Sequence, residues 1–311
     1  MKNKQTKAIV LLSGGLDSML AVKVLEEQGI EVSGLVFTSC FFGAETAKTA
    51  AEQLGIKLKV LDFSAEQLAI VKNPPHGRGK NMNPCIDCHT LMFKLAKEEM
   101  LKGGYDFIAT GEVLGERPMS QNREALAIIE RAAGLAGYLL RPLSARLLAP
   151  TIPEQDSRVD REKLLAISGR GRRPQLALAK KFSIGKFPSP AGGCLLTDPG
   201  FSERLKILLT KEPQANASDM ELLKYGRHIW QDKILYIIGR DHEENLILKK
   251  LARQNDLLAE ATDIPGPIIL VRNYNGEELT KEKTAGQISE FLIKYNNKAQ
   301  GMENLNIKWQ V

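Results

Sequence analysis

Residues 7–20 of the chain read KAIVLLSGGLDSML, and this stretch decides the fold. Lys7–Leu12 is a short apolar run, which is typical of a strand buried on both faces of a parallel sheet. From Asp17 to Gln28 the apolar residues recur with helical spacing, and Gly29 is a signal for the end of a helix. A strand, a glycine loop and a helix in this order open a βαβ unit.

The same alternation continues along the first part of the chain. It predicts strands at Val32–Phe37, Lys57–Leu61 and Phe107–Thr110, and helices at Ala44–Leu54 and Leu91–Leu101. We therefore expect an α/β fold with a doubly wound parallel sheet, which binds its ligands at the carboxyl ends of the strands.

The pattern changes further along, and a chain of 311 residues is long enough for two cores. Residues 134–213 carry many prolines and are predicted to be an irregular, basic extension of a first domain that covers residues 1–213. Lys233–Ile238 and Ile268–Val271 are predicted strands with a helix near Glu243–Ala252 between them. Residues 214–311 are therefore predicted to form a smaller C-terminal α+β domain.

The glycine loop between the first strand and helix has the composition of a phosphate-binding loop. Gly14 and Gly15 let backbone amides approach an anion, and the following helix N-terminus adds a partial positive charge. Ser13 and Ser18 can donate hydrogen bonds to pyrophosphate oxygens, and Asp17 can hold Mg²⁺. The lysine of a Walker A motif is absent, so transfer of the γ-phosphate is the less favoured chemistry.

Charge and hydropathy bear on the partners and location of the protein. The net charge is +6, but residues 161–186 alone hold eight basic residues and one acidic residue. This stretch is either a solvated surface or a contact for nucleic acid. Its candidate RNA-binding residues are Arg170, Arg172, Arg173, Lys180 and Lys181. No apolar run reaches the roughly 18 residues of a membrane helix, so we expect a cytoplasmic protein without a membrane partner.

The chain contains four cysteines, of which Cys85, Cys88 and Cys194 are candidate site residues. Cys85 and Cys88 form a C-x-x-C pair without the second pair that structural zinc normally needs. Three thiolates suit either a [4Fe–4S] cluster with one open iron or a redox dithiol with a resolving partner. Cys40, in an apolar stretch, is predicted to be a buried hydrophobic residue. His89 is either a ligand or site residue or a helix-start residue, and its position does not decide between these.

Three motifs together carry a resemblance to a known family. SGGLDS at 13–18 resembles the PP-loop of the ATP pyrophosphatases, and NPCIDCH at 83–89 and ATGEVLGERPMSQ at 109–121 follow it. The combination resembles the tRNA-thiolating enzymes, namely the 2-thiouridylases, the 4-thiouridine synthetases and their iron–sulfur-dependent relatives. The resemblance covers roughly residues 7–210. It implies that ATP and Mg²⁺ are bound by a set of residues that comprises Ser13, Gly14, Gly15, Asp17, Ser18, Phe37, Thr110 and Gly111.

The resemblance also implies a reaction, in which a uridine carbonyl oxygen attacks the α-phosphorus of ATP and sulfur then displaces AMP. Asp17, Cys85, Cys88 and Cys194 are the implied catalytic residues, and the three cysteines are the implied ligands of a [4Fe–4S] cluster that delivers sulfur. A cysteine persulfide with a disulfide-closing partner is the alternative. The sulfur donor is expected to be sulfide or a sulfur-carrier protein, and tRNA is the expected partner.

Segments of the C-terminal domain, LLKYGRHIW, IIGRDHEEN and ATDIPGPIILVRN, resemble the RNA-binding domain of NFACT ribosome-quality-control proteins. A dimerisation domain has a similar composition, so a homodimer is a further expectation. Two other classes of function stay open. One is a PP-loop ligase or amidase that acts on a small metabolite, and the other is an RNA-binding module with a vestigial nucleotide site.

Overall fold

The computed structural model describes residues 5–189, 193–303 and 305–310. These residues form two compact units that divide between Thr197 and Asp198. The sequence pattern had placed the division after residue 213. The helix Pro199–Lys211 falls in the second unit, where Arg204 Nε donates to the Leu223 carbonyl over 2.9 Å. The functional assignment of the two domains stays a prediction.

The first unit is built on a five-stranded sheet with the order β3-β2-β1-β4-β5, in which every pair of neighbours is parallel. Its strands are β1 Lys7–Leu11, β2 Glu31–Thr38, β3 Leu58–Asp62, β4 Phe107–Thr110 and β5 Leu139–Leu140. Its helices are α1 Leu16–Glu26, α2 Glu45–Leu54, α3 Ser64–Lys72, α4 Cys85–Gly103, α5 Arg123–Ala132, α6 Ile152–Gln155 and α7 Arg173–Lys181. The predicted doubly wound α/β fold is confirmed.

Alternation along β1 shows why the sheet is covered on both faces. Ala8 and Val10 pack into a core shared with α1, α2 and α7, whereas Ile9 points into a second core shared with α4 and α5. All three side chains are almost fully buried. A strand buried on both faces must be apolar at every position, which accounts for the unbroken run at the start of the chain.

The order of the strands fixes where a ligand can bind. The chain runs outward from β1 through β2 to β3, and then returns to the other side of β1 for β4 and β5. The connections therefore diverge between the carboxyl ends of β1 and β4, and a crevice opens at such a switch point. The loop Ser13–Gly15 follows β1, and Gly111 follows β4.

The second unit is an antiparallel sheet with the order β10-β8-β9-β7-β6. Its strands are β6 Arg227–Gln231, β7 Ile234–Ile238, β8 Leu257–Ala261, β9 Ile269–Asn273 and β10 Ile307–Gln310. Its helices are α8 Pro199–Lys211, α9 Ala217–Leu222, α10 His242–Leu251 and α11 Lys281–Lys294. The predicted smaller α+β domain is confirmed as a fold. None of the helices in the described residues has the length and apolar content needed to cross a bilayer.

Candidate active site

The loop after β1 is held against two other segments by close backbone contacts. Gly14 has a φ of +82°, and a Cβ atom on it would lie 2.3 Å from the carbonyl carbon of Thr46. A Cβ on Gly111 would lie 2.4 Å from the backbone nitrogen of Ser18. Larger residues would push the segments apart, so both glycines are needed for the loop, α2 and the end of β4 to meet.

The hydroxyls and amides of this loop are arranged around the start of α1. Ser13 Oγ accepts from the Gly15 amide at 3.3 Å, and Ser18 Oγ donates to the Gly15 carbonyl at 2.8 Å. Among the residues that the structure describes, no side chain caps α1, whose N-cap residue is Gly15. The amides of the first turn are therefore free to bind an anion, which the helix dipole also favours.

Several buried polar atoms beside the loop lack hydrogen-bond partners. In the described part of the chain, no partner is found for Asp17 Oδ1, Arg172 Nε, or either amide atom of Gln175. Gln175 is fully buried, and its amide lies close enough to Asp17 to lower the pKa of that carboxyl, although beyond ordinary hydrogen-bond distance; the charge of Arg172 lowers it more strongly. Buried polar groups are nearly always satisfied, so a cluster of unsatisfied ones marks a place where a ligand supplies the missing bonds.

The two carboxyl groups near this cluster have raised pKa values. Burial raises the pKa of Asp17, and the positive charges of Arg172 and Arg117 only partly oppose the rise. Burial and the neighbouring Asp17 also raise the pKa of Glu116. Two carboxyls and two guanidinium groups thus act on one another close to Asp17, an arrangement that suits a cation bound together with a polyanion.

Two of the cysteines lie on the first turn of α4. The sequence had placed the start of this helix at Leu91, but it begins at Cys85, directly after Pro84. Cys88 is therefore inside the helix rather than before it. Asn83 Nδ2 donates to Cys85 Sγ at 3.2 Å, and Gln67 Nε2 donates to Cys88 Sγ at 3.1 Å.

Cys194 reaches the same region from a distant part of the chain. The Leu195 amide donates to the Phe41 carbonyl at 3.1 Å, and Asn81 Nδ2 donates to the Thr197 carbonyl at 2.7 Å. Residues 190–192, which come shortly before Cys194 in the sequence, lie outside the described residues.

Neighbouring thiols add to the effect of burial on the pKa values of Cys88 and Cys194. Burial raises the pKa of Cys88 to about 12, with further contributions from Cys194 and Cys85. Burial likewise raises the pKa of Cys194 to about 11, and Cys85 adds to the rise. Cys40 is buried, and its amide donates to Ser64 Oγ at 3.1 Å. The thiols of Cys88 and Cys194 are thus mainly protonated at neutral pH unless a cation or an electrophile binds them.

The three thiols are suitable ligands for an iron–sulfur centre, but their side chains are not placed around a common metal position. Three soft sulfur ligands suit such a cluster. Among the residues that the structure describes, however, no group of three His, Cys, Asp or Glu side chains is placed to hold a metal ion. The donor chemistry fits a cluster, whereas the side-chain positions are not those of an assembled metal site.

The other candidate residues fall into different environments. Phe37 is a core residue that packs against Phe63 with ring centroids 5.3 Å apart. Thr110 is buried, and its Oγ1 accepts from the Glu112 amide at 3.2 Å. Of the candidate RNA contacts, Arg170, Arg173, Lys180 and Lys181 are exposed, whereas Arg172 is half-buried beside Asp17.

A buried ionic network, which the sequence did not reveal, joins the end of β4 to α4. Arg141 Nε donates to Glu112 Oε2 at 3.0 Å, and its Nη1 donates to Glu130 Oε2 at 2.9 Å. The other oxygen of Glu112 lies 3.0 Å from Nδ1 of His89.

The sequence analysis did not single out four further residues of the candidate site, namely Glu116, Arg117, Gln175 and Gln67. Glu116 and Arg117 lie within the motif at 109–121, which was the one available signal for them.

Comparison with known proteins shows what the first unit is similar to. Residues 6–152 match the family model described as the tRNA methyl transferase HUP domain. The match covers the sheet, the glycine loop and the C-x-x-C pair.

Individual relatives are more specific. The chain is 27% identical over 250 residues to the tRNA-specific 2-thiouridylase MnmA of Thiobacillus denitrificans, which covers 76% of this chain and 66% of the relative. It is 29% identical over 244 residues to the enzyme of the same name from Stutzerimonas stutzeri, covering 72% of this chain and 61% of the relative. The chain thus spans less than two thirds of the length of these relatives.

Two solved structures show weaker likeness. A predicted subunit of tRNA methyltransferase from Methanocaldococcus jannaschii has a TM-score of 0.37 and 17% identity, covering 57% of this chain and 76% of that one. A 4-thiouridine synthetase–RNA complex with bound ATP has a TM-score of 0.41 and 18% identity, covering 70% of this chain and 52% of that one.

Proposed function

We propose that this protein is an ATP-dependent tRNA sulfurtransferase, which activates a uridine carbonyl as an adenylate and replaces its oxygen with sulfur. The observation that carries the proposal is the cluster of unsatisfied buried atoms on Asp17, Arg172 and Gln175 at the glycine loop. A polyphosphate bound there would supply the missing partners. The names of the 2-thiouridylase relatives support uridine in tRNA as the substrate.

In this reaction the loop binds the β- and γ-phosphates of ATP, which leave together as pyrophosphate. The first-turn amides of α1 and the hydroxyls of Ser13 and Ser18 would donate to phosphate oxygens. Arg172 and Arg117 would add positive charge where negative charge develops on the leaving group. Asp17 is the residue that would hold Mg²⁺, which neutralises part of the phosphate charge when bound.

The three thiols would handle sulfur at the same carboxyl edge of the sheet. We propose that Cys85, Cys88 and Cys194 hold a [4Fe–4S] cluster, whose open iron would supply a binding place for exogenous sulfide. The alternative is a persulfide on one cysteine, whose terminal sulfur displaces AMP while another cysteine closes a disulfide. The amides of Gln67 and Asn83, which donate to two of the sulfurs, suit a sulfur that carries negative charge in either route.

The proposed partners follow from the reaction. The exposed Arg170, Arg173, Lys180 and Lys181 would contact tRNA phosphates, and the C-terminal unit would add RNA contacts. The sulfur donor would be sulfide or a sulfur-carrier protein, a homodimer is part of the proposal, and a tRNA substrate places the reaction in the cytoplasm.

The products of ATP test this proposal. Purified protein incubated with ATP, sulfide and tRNA from a strain lacking the gene should release AMP and pyrophosphate, and the release should depend on tRNA. Release of ADP and phosphate, or release that tRNA does not affect, would favour a kinase-like or small-metabolite enzyme.

Iron analysis of anaerobically purified protein separates the two sulfur routes. A cluster predicts about four irons per chain, lost in Cys85→Ala, Cys88→Ala and Cys194→Ala but kept in Cys40→Ala. If iron-free protein still thiolates tRNA, the cluster is not required and the persulfide route is the remaining explanation.

A further inference from the structure

Glu116 lies in the segment that follows β4, beside the first turn of α1. A Cβ atom on Gly111 would lie 2.5 Å from the carbonyl carbon of Asp17, so the start of this segment touches the backbone of α1. The Glu116 amide donates to the Val113 carbonyl at 3.1 Å, which turns the chain back on itself. Of the charges that act on Glu116, that of Asp17 has the largest effect. One carboxyl thus follows β1, the other follows β4, and the two face the same crevice.

The protein compensates these two carboxyls incompletely. Asp17 Oδ1 and Arg172 Nε are both buried without hydrogen-bond partners in the described part of the chain. Arg172 and Arg117 lower the pKa of each carboxyl, yet burial outweighs them at both positions. Two neighbouring carboxylates repel one another, and a cation bound between them removes that repulsion.

A fully buried amide is independent evidence for a ligand at this place. Gln175 on α7 is 0% exposed, and neither its oxygen nor its nitrogen finds a partner among the residues that the structure describes. Its amide lies close enough to Asp17 to act on that carboxyl. Leaving both atoms unpaired in the interior is costly. The water shell of a cation offers donors to the amide oxygen, and phosphates offer acceptors to the nitrogen.

The number of carboxylates suits magnesium bound together with a nucleotide. Mg²⁺ keeps several waters and is usually held by one or two carboxylates together with substrate phosphates. Within the described residues, no group of three His, Cys, Asp or Glu side chains is placed to hold an ion by itself. Two carboxylates whose cation is completed by phosphates and waters agree with both statements.

We infer that Glu116 is a second carboxylate ligand, beside Asp17, for the divalent cation that accompanies ATP. Without a cation, the negative charge of Glu116 repels the phosphates. With a cation between them, the same charge favours binding, so the effect of Glu116 on ATP affinity changes sign with the cation. The inference rests on the proposed function, since it names a further residue of the ATP site.

Isothermal titration with ATP, once in Mg²⁺ and once in EDTA, measures this change of sign. Glu116→Gln removes the charge and keeps the size of the side chain. In Mg²⁺ we expect its Kd for ATP to be about 10- to 100-fold higher than that of wild type, the range for loss of a charged partner. In EDTA its Kd should equal that of wild type or fall below it, because the repulsion by the carboxylate is gone.

Two further variants control for the change of charge and for the shape of the side chain. Glu124→Gln makes the same change at an exposed residue of the first turn of α5, just past the segment that holds Glu116. It should leave the Kd for ATP unchanged in both solutions. Glu116→Asp keeps a carboxylate on a shorter side chain, so its Kd in Mg²⁺ should lie between those of wild type and Glu116→Gln.

The outcomes separate this inference from folding and from the proposed function. The free energy of unfolding of Glu116→Gln, measured in urea, should stay within about 1 kcal/mol of wild type. If Glu116→Gln changes the Kd for ATP by the same factor in Mg²⁺ and in EDTA, or in neither, Glu116 does not hold the cation and the inference is wrong. The proposed function stands in that case, because wild-type protein still binds ATP. If wild-type protein binds no ATP in either solution, the proposed function itself fails.

Discussion

A buried ionic network of the second unit differs from the charged cluster at the glycine loop of the first unit. In the second unit, Arg272 is 2% exposed and donates to Asp256 at 2.6 Å and to Asp219 at 3.0 Å. The hydroxyl of Tyr274 donates to the same Asp219 at 3.1 Å. In the first unit, Asp17, Arg172 and Gln175 have buried atoms for which no partner is found among the described residues. The complete network around Arg272 links elements of its own unit. The incomplete network around Asp17 has polar atoms to which a ligand can bind.

Removing the central carboxylate of the incomplete network should have the largest effect. Asp17→Ala should lower tRNA-dependent pyrophosphate release by ~10³-fold or more, because the group that would hold the phosphate-bound cation is lost. Its free energy of unfolding should stay within about 1 kcal/mol of wild type or rise, since an unsatisfied buried carboxyl is removed. Pyrophosphate assays and urea denaturation measure the two quantities. Unchanged release of pyrophosphate would contradict the assignment of the loop.

Removing a carboxylate from the complete network should instead lower the free energy of unfolding. Asp219→Ala leaves Arg272 as a buried charge without one of its partners, so we expect a loss of about 3–5 kcal/mol in the free energy of unfolding. Trp230 and Trp309 are the two tryptophans of the chain, and both lie in the second unit. Their fluorescence in urea therefore reports this unit selectively. Asp263→Ala, an exposed aspartate of the same unit, is the control, and equal midpoints for the two variants would refute the comparison.

Neighbouring arginines of the basic stretch should behave differently from each other. Arg172→Gln should raise the Kd for ATP about 10- to 100-fold, because a proposed charged partner of the phosphates is lost. Arg173 is exposed, so Arg173→Gln should leave ATP binding unchanged and reduce the salt slope of tRNA binding by about one. Isothermal titration with ATP and filter binding with tRNA at several salt concentrations distinguish the two. If both variants affected only tRNA binding, Arg172 would belong to the RNA surface.

The smallest effect is expected from a histidine of the second unit, which should make the free energy of unfolding depend on pH. Burial lowers the pKa of His228 to about 4, and the nearby Arg204 and Arg240 contribute, although the Tyr225 carbonyl, 2.8 Å from Nε2, opposes the change. The unfolded chain takes up this proton near pH 6.5, whereas the folded chain does so only near pH 4. The contribution of His228 to the free energy of unfolding is therefore fully present above pH 6.5. It is lost as pH falls toward 4, by on the order of 2 kcal/mol. His228→Gln should flatten the stability curve in this window, and parallel curves would contradict the prediction.

The strands and the glycine loop could be predicted because their signals are local. A continuous apolar run, two glycines and a helical repeat lie within residues 7–28, and the structure follows them closely. The strand β5 was missed because it is only two residues long, too short to show a period. The helix α4 was expected to start late because its first turn, which holds both cysteines, lacks the helical apolar spacing seen further along.

The composition of the site was harder to foresee because it depends on tertiary packing. Arg172 belongs to a run of similar charges, and nothing in that run indicates that this guanidinium turns toward Asp17 while Arg173 faces solvent. Gln175 and Gln67 are single glutamines on helices, which usually face water. Their burial beside the loop and Cys88 is set by how α7 and α3 pack on the sheet, which no local pattern encodes.

Nucleoside analysis tests the central claim most directly. tRNA from a strain lacking the gene is digested and analysed by mass spectrometry, before and after complementation with the wild type or with Asp17→Ala. We expect one thiouridine to disappear on deletion, to return with the wild-type gene, and to stay absent with Asp17→Ala. An unchanged set of thiolated nucleosides in the deletion strain would contradict the claim that this protein thiolates tRNA.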